Sequence, residues 1–160
     1  MLEFNIAVDL DGPLADFNRH VWEQFGVHPD RAGDTLWPLV ASVKDFWLTL
    51  PLKPHAHELW DFVQPYNPVI LTGCPRSLYD IAAAQKVTYA KRHFGDDVRI
   101  ITCLSRDKTQ HIVAPGHILI DDFSSNCRRW RKAGGRAVYY RNFEQTITDL
   151  RKLLNEERPD

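Results

Sequence analysis

Acidic residues directly follow two of the most apolar runs in the sequence. One run ends in Asp9, with Asp11 two positions later, and another ends in Asp121 and Asp122. A carboxylate can attack phosphorus to form an acyl phosphate, and a second carboxylate nearby can give and then take up a proton. Two adjacent carboxylates after a buried strand repel each other unless a cation neutralises them. The acids therefore predict phosphoryl transfer assisted by a bound cation.

Groups that can bind phosphate follow two other apolar runs. Thr72, which precedes Gly73, can donate a hydrogen bond to a phosphoryl oxygen, and Lys108 can offset negative charge. Magnesium takes oxygen ligands, which Asp9, Asp121, Asp122 and a backbone carbonyl near Asp11 can supply. Each feature alone is common in turns, at strand ends or on surfaces. Together they are hard to explain by structure alone, since all four groups follow predicted strands.

The apolar runs are short, rich in β-branched residues and show little alternation, which is typical of strands buried on both faces of a parallel sheet. The predicted strands are 4–10, 69–72 and 118–120, with weaker candidates at 98–102 and 137–140. Helical stretches lie between them, so the alternation predicts an α/β layer fold with about five parallel strands. Ligands of such sheets bind outside the carboxyl ends of the strands, where the polar groups fall.

The ends of the helices are marked by capping and stop signals. We expect starts at Ser77 with Asp80, at Ser124 or Ser125, and at Asn142 with Gln145, and stops at Gly95 and at Gly134 with Gly135.

Residues 17–66 interrupt this alternation. They contain four of the five tryptophans and several prolines but no convincing strand. We interpret them as a small helical cap inserted after the first strand of a single domain that spans residues 1–160. Most of the cap aromatics are expected to serve packing.

Composition excludes several classes of protein. Lys plus Arg number 20 and Asp plus Glu 21, so no overall field points to nucleic acid or membrane. The basic cluster at 128–132 is interpreted as a solvated helix face. Three widely spaced cysteines and the absence of a long apolar stretch favour a reducing, cytoplasmic location.

The ordered segments DLDGPLADF, ILTG, RDK and ILIDD resemble the motifs of the haloacid dehalogenase superfamily of phosphatases. The resemblance implies a three-layer Rossmann-like fold with a cap and a Mg²⁺ cofactor. It assigns Asp9 as nucleophile and Asp11 as acid/base. It also implies that Thr72 and Lys108 bind phosphate, and that Asp121 with Asp122 helps hold the metal.

Within that superfamily the segments DFWLTLPLKPHAHELWDFV and QKVTYAKRHFGDDVRIITCLSRDKT are similar to the 5'(3')-deoxyribonucleotidases. This similarity implies a nucleoside monophosphate substrate, with Phe46 and Trp47 against the base, and leaves a homodimer open. The sequence departs from the family at two places. Pro13 follows Gly12, so one possible backbone donor to phosphate is missing. Motif two reads Thr-Gly-Cys, which concerns the substrate more than the reaction.

Three alternatives stay open. The same chemistry could serve another small phosphate ester or a polynucleotide end, because the cap sets the substrate. A signalling receiver domain shares the acidic pair, Thr and Lys but places the acidic pair on its first strand. The third is a member of the superfamily that has lost catalysis and only binds its ligand.

Overall fold

The computed structural model describes residues 4–112 and 114–155, and a sheet of five parallel strands forms its centre. The strands are β1 (Ile6–Val8), β2 (Pro68–Cys74), β3 (Ile100–Leu104), β4 (Ile118–Asp121) and β5 (Arg136–Tyr139). Their order across the sheet is β3-β2-β1-β4-β5. All five predicted strands are therefore confirmed. The chain adds β2 and β3 on one side of β1 and later adds β4 and β5 on the other side. This reversal leaves a crevice at the carboxyl end of β1.

Seven α-helices are present in the described residues. They are α1 (Phe17–Phe25), α2 (Pro29–Ala32), α3 (Leu36–Ala41), α4 (Ala56–Val63), α5 (Tyr79–Phe94), α6 (Ser124–Lys132) and α7 (Phe143–Asn155). Short 3₁₀ helices cover Gly33–Thr35, Phe46–Thr49, Gln64–Tyr66, Arg76–Leu78 and Ser105–His111. Among the described helices none has both the length and the apolar character that a membrane span requires.

Alternate residues of β1 belong to two separate hydrophobic cores. Ile6 and Val8 lie in the larger core, which also contains residues of α4, α5 and α7. Ala7 lies in the smaller core, where Trp130 of α6 covers the opposite face of the sheet. Side chains of a strand alternate between faces, so the sheet is buried on both sides. The predicted three-layer α/β architecture is confirmed.

The segment between β1 and β2 is helical. Its entry and exit are tied together, because Ala15 forms an isolated β-bridge with Leu52 and the Lys53 N–H donates to the Leu14 carbonyl at 2.8 Å. Residues of α1, α3 and the turn Phe46–Thr49 line the same cavity as Asp9, which follows β1. The cap with bounds 17–66 stays a prediction.

Three helix termini follow their sequence signals. Asn142 Oδ1 accepts a hydrogen bond from the Gln145 N–H at 2.9 Å, which caps α7. Gly95 ends α5 with a φ of 104°, and its N–H donates to the Lys91 carbonyl. Gly134 follows α6 and adopts a left-handed backbone conformation, with a φ of 98°.

Both of the other predicted helices form, and α6 begins at Ser124 as expected, but the predicted serine caps are wrong. The Leu78 N–H donates to Pro75, so the chain already turns before Ser77, and no capping box forms with Asp80. At α6 the N-cap position is held by Phe123, whose N–H donates to Asp121 Oδ1 at 2.8 Å. This hydrogen bond makes Phe123 the N-cap, so Ser124 is already the first residue of the helix and does not cap it.

Candidate active site

A buried lysine joins two acidic strand ends. Asp9 directly follows β1, Asp121 ends β4, and Lys108 lies in the 3₁₀ helix after β3. Lys108 Nζ lies 2.9 Å from Asp9 Oδ1 and 2.6 Å from Asp121 Oδ2, and all three side chains are buried. The parallel register brings these residues to one edge, as the sequence predicts.

A third acid completes the cluster. One carboxylate oxygen each of Asp9, Asp121 and Asp122 lies within 4.8 Å of the others. Burial raises the pKa of Asp9 well above its usual value; Lys108 opposes this rise, and the nearby Asp121 and Asp122 add to it. Burial and the neighbouring Asp121 likewise raise the pKa of Asp122 to about 7. One lysine therefore does not offset the negative charge gathered here.

Lys108 remains charged in this cluster. Burial alone would lower its pKa, but the carboxylates of Asp9 and Asp121 outweigh that effect and hold the pKa above the usual lysine value. Two of its three N–H groups are used by Asp9 and Asp121. The third has no acceptor among the described residues.

The donor set fits magnesium. All three clustered ligands are carboxylate oxygens, which suit a hard divalent cation, and the raised pKa values of Asp9 and Asp122 indicate a deficit of positive charge. The carboxylate of Asp122 faces Gly12, where an added Cβ would meet it at 2.2 Å. Gly12 also has a φ of 111°, so both space and backbone require glycine there.

The two acids of the pair have different surroundings. Asp121 is fully buried and accepts hydrogen bonds from the Phe123 N–H, from Lys108 and from Asn126 Nδ2. Asp122 is only partly buried and lines the cavity described below. Asp122 therefore has the more available oxygens, and Asp121 is held as part of the scaffold.

Asp11 has a partner that the sequence did not reveal. Lys86 of α5 donates to Asp11 Oδ2 and also to Thr72 Oγ1 at 3.2 Å and the Gly73 carbonyl at 2.6 Å. Its side chain is buried on the same helix stripe as Ala82, Tyr89 and Ala90. The available signal was a lysine at an apolar position of an amphipathic helix.

Thr72 and Gly73 lie near the carboxyl end of β2. Thr72 is fully buried and does not itself line the cavity among the described residues, so its phosphate-binding role stays a prediction. Gly73 does line the cavity, and a Cβ there would lie 3.0 Å from the Ser105 backbone. The close approach of β2 to the turn after β3 brings Lys108 toward Asp9.

A cavity of about 340 Å³ opens above the acids. Its floor includes Asp9, Asp11, Asp122, Lys86 and Lys108. Its walls are largely apolar and are contributed mainly by residues between β1 and β2, namely Phe17, Leu36, Trp37 and Trp47, together with Phe123. Such a cavity, apolar with a few convergent charges, is typical of a small-molecule site.

The two cap aromatics singled out by sequence differ in position. Trp47 lines the cavity. Phe46 does not line it; its ring packs against Phe17, His20 and Phe25 inside the cap and contacts Trp47 edge-on at 5.5 Å. A substrate role for Phe46 is therefore indirect, through support of Trp47.

Comparison with known proteins adds little. No family model matches the chain, and no curated protein matches it. Among solved structures, a hydrolase from Streptococcus pneumoniae TIGR4 is similar at a TM-score of 0.48 and 13% identity, over 97% of this chain and 100% of that one. A likeness this weak carries no argument about function. The functional case depends on the site.

Proposed function

We propose that this protein is a magnesium-dependent phosphomonoesterase in which Asp9 accepts the phosphoryl group. The observation that carries the proposal is the position of Asp9 on the cavity floor, bonded to Lys108 and clustered with Asp121 and Asp122. Clustered acids that one lysine does not neutralise, on the floor of an open cavity, suit a dianionic substrate bound together with a divalent cation.

Asp9 has one oxygen fixed and one available. Its Oδ1 accepts from the Leu10 N–H at 3.0 Å and from Lys108 at 2.9 Å, which orients the carboxylate. Its Oδ2 has no hydrogen-bond partner among the described residues. An oriented carboxylate with a free oxygen supports nucleophilic attack on phosphorus, because positioning is the main demand of phosphoryl transfer.

Magnesium would be held by Asp9 and Asp122, with Asp121 supporting and the Asp11 backbone carbonyl as the further predicted ligand. When bound, it would supply positive charge that offsets the phosphoryl oxygens. Lys108, which lines the cavity, adds a donor for a phosphoryl oxygen.

Asp11 moves the proton in the proposed reaction. As Asp9 forms its bond to phosphorus and the ester bond breaks, Asp11 gives a proton to the leaving oxygen. Water then attacks phosphorus, the Asp9–phosphorus bond breaks, and Asp11 takes the proton from that water. The resemblance to haloacid dehalogenase phosphatases supports the same division of roles.

We propose a nucleoside monophosphate as the substrate. The apolar walls from Trp37, Trp47 and Phe17 support an aromatic group beyond the phosphate, and the resemblance to 5'(3')-deoxyribonucleotidases points the same way. Another small phosphate ester or a polynucleotide end would use the same floor with different contacts to the cap.

A panel of phosphate esters tests the proposal. Deoxyribonucleoside and ribonucleoside monophosphates, sugar phosphates and a 5'-phosphorylated oligonucleotide are incubated with and without magnesium, and released phosphate is measured. The highest kcat/KM is expected for a nucleoside monophosphate, with no release in the presence of a chelator. A preference for a sugar phosphate would contradict the substrate assignment, and no release from any ester would contradict the activity.

A further inference from the structure

Lys86 is a buried cation that the roles above do not use. Its side chain is about 1% exposed, on the face of α5 that packs against the sheet. Burying an ammonium group is unfavourable unless it is paired and hydrogen-bonded. An apolar side chain would fill this stripe of α5 without that cost. The charge therefore needs an explanation beyond packing.

The hydrogen-bond capacity of Lys86 is fully used inside the protein. An ammonium group has three N–H donors. Those of Lys86 are accepted by Asp11 Oδ2, by Thr72 Oγ1 at 3.2 Å and by the Gly73 carbonyl at 2.6 Å. Lys108, in contrast, has two acceptors among the described residues. Lys108 keeps a donor for phosphate, and Lys86 does not.

The acceptors of Lys86 connect Asp11 to the end of β2. Asp11 lies in the turn after β1, where the structure gives its side chain no other donor among the described residues. Lys86 binds Oδ2, and Oδ1 is buried with no hydrogen-bond partner in the described part of the chain. The contact with Lys86 thus fixes the orientation of the Asp11 carboxylate.

We propose that Lys86 is a positioning residue that holds Asp11 for proton transfer at the leaving-group oxygen. This inference rests on the proposed phosphatase function. Lys86 holds Oδ2 of Asp11, and the carboxyl group held in this way gives its proton to the departing oxygen and later takes a proton from the attacking water. Its bond to Thr72 Oγ1 uses a lone pair of that hydroxyl, which keeps the hydroxyl hydrogen for another acceptor.

Substrates with different leaving groups distinguish a positioning role of Lys86 from a purely structural role. Loss of a positioned general acid costs about 10²- to 10⁴-fold when the leaving oxygen needs a proton, and little when it is a stable phenolate. For Lys86→Met we expect kcat/KM to fall about 100-fold with an alkyl phosphate and less than about fivefold with p-nitrophenyl phosphate. Lys91→Met, an exposed lysine on the same helix, is the matched control and should leave both values unchanged.

A double-mutant cycle gives a second readout. If Lys86 acts through Asp11, Lys86→Met should cost little more in an Asp11→Asn background. Lys86→Gln, which keeps a donor, should retain part of the alkyl phosphate activity. It also replaces Lys86→Met in the comparison if that variant fails to fold, as judged by circular dichroism.

The outcomes are distinguishable. Equal losses with both esters, or additive losses in the cycle, would overturn the Lys86 assignment and leave the phosphatase proposal standing. A wild-type protein that releases phosphate from neither ester would overturn the proposed function and this inference with it.

Discussion

Lys108 Nζ lies 2.9 Å from Asp9 Oδ1 in a setting where both side chains are buried. The pair joins the loop after β1 to the turn after β3 and places a cation beside the proposed nucleophile. Asp121 shares the same ammonium group at 2.6 Å. The two buried carboxylates, Asp9 and Asp121, therefore share one lysine.

Replacing that lysine should affect both folding and activity. Lys108→Met leaves Asp9 and Asp121 buried without their cation, and removing one partner of a buried pair costs about 3–5 kcal/mol. We expect the free energy of unfolding in urea to fall by about that amount and phosphate release to be lost. Unchanged stability would show that the ion pair is not formed in solution.

Asp122 should contribute mainly to metal binding, and Asp121 should contribute mainly to stability. Asp122→Asn should weaken magnesium affinity at least about tenfold, because Asp122 lines the cavity and has the more available oxygens. Asp121→Asn should chiefly lower stability, because Lys108, Asn126 and the Phe123 N–H all bond to this carboxylate. Isothermal titration with magnesium and urea unfolding, carried out on both variants, separate the two effects. The reverse pattern would contradict the assignment.

Stability of the metal-free protein should depend on pH through Asp122. Its pKa is raised to about 7 in the folded state, so the folded protein binds more protons than the unfolded chain between about pH 4 and 7. Its contribution to stability is present at low pH and is lost as pH rises through the folded pKa. We expect the Tm in chelator to fall over this window and the fall to be smaller in Asp122→Asn.

Magnesium provides the complement to that measurement. Cation binding should lower the cost of ionised Asp9 and Asp122, so the added metal should raise Tm more at pH 7 than at pH 5. An equal rise in Tm with magnesium at pH 5 and at pH 7 would contradict a deficit of positive charge around Asp9 and Asp122.

The cavity wall should select for the group beyond the phosphate. Trp37→Ala should raise KM for a nucleoside monophosphate about tenfold, since base–aromatic stacking contributes about 1–3 kcal/mol. The effect on p-nitrophenyl phosphate should be smaller. Trp22→Ala is the matched control, because Trp22 is 59% exposed and does not line the cavity. Equal KM changes in both tryptophan variants would exclude a wall role for Trp37.

Sequence predicts the sheet and the floor of the site well for a physical reason. Asp9 and Asp121 follow short apolar strands, and parallel pairing necessarily brings such strand ends to one edge. The order of strands and the pairing of Lys108 with both acids require the three-dimensional packing.

Other features were beyond sequence reasoning. Lys86 was missed because a helical lysine usually points to solvent, and only the packing of α5 shows that this one is buried. Ser77 and Ser124 have the right residue types for caps, but local hydrogen bonds, from the Leu78 N–H to Pro75 and from the Phe123 N–H to Asp121, turn the backbone at each place without them. Phe46 and Trp47 are adjacent, and sequence alone could not tell which ring faces the cavity.

The central claim is that Asp9 becomes phosphorylated. Wild-type protein with magnesium and p-nitrophenyl phosphate is quenched in acid within the first turnovers, and its peptides are analysed by mass spectrometry. We predict one phosphate on the peptide that contains Asp9, no adduct in Asp9→Asn, and turnover in that variant reduced by a factor of about 10⁴ or more. Steady phosphate release without an adduct, at an undiminished rate in Asp9→Asn, would contradict the account.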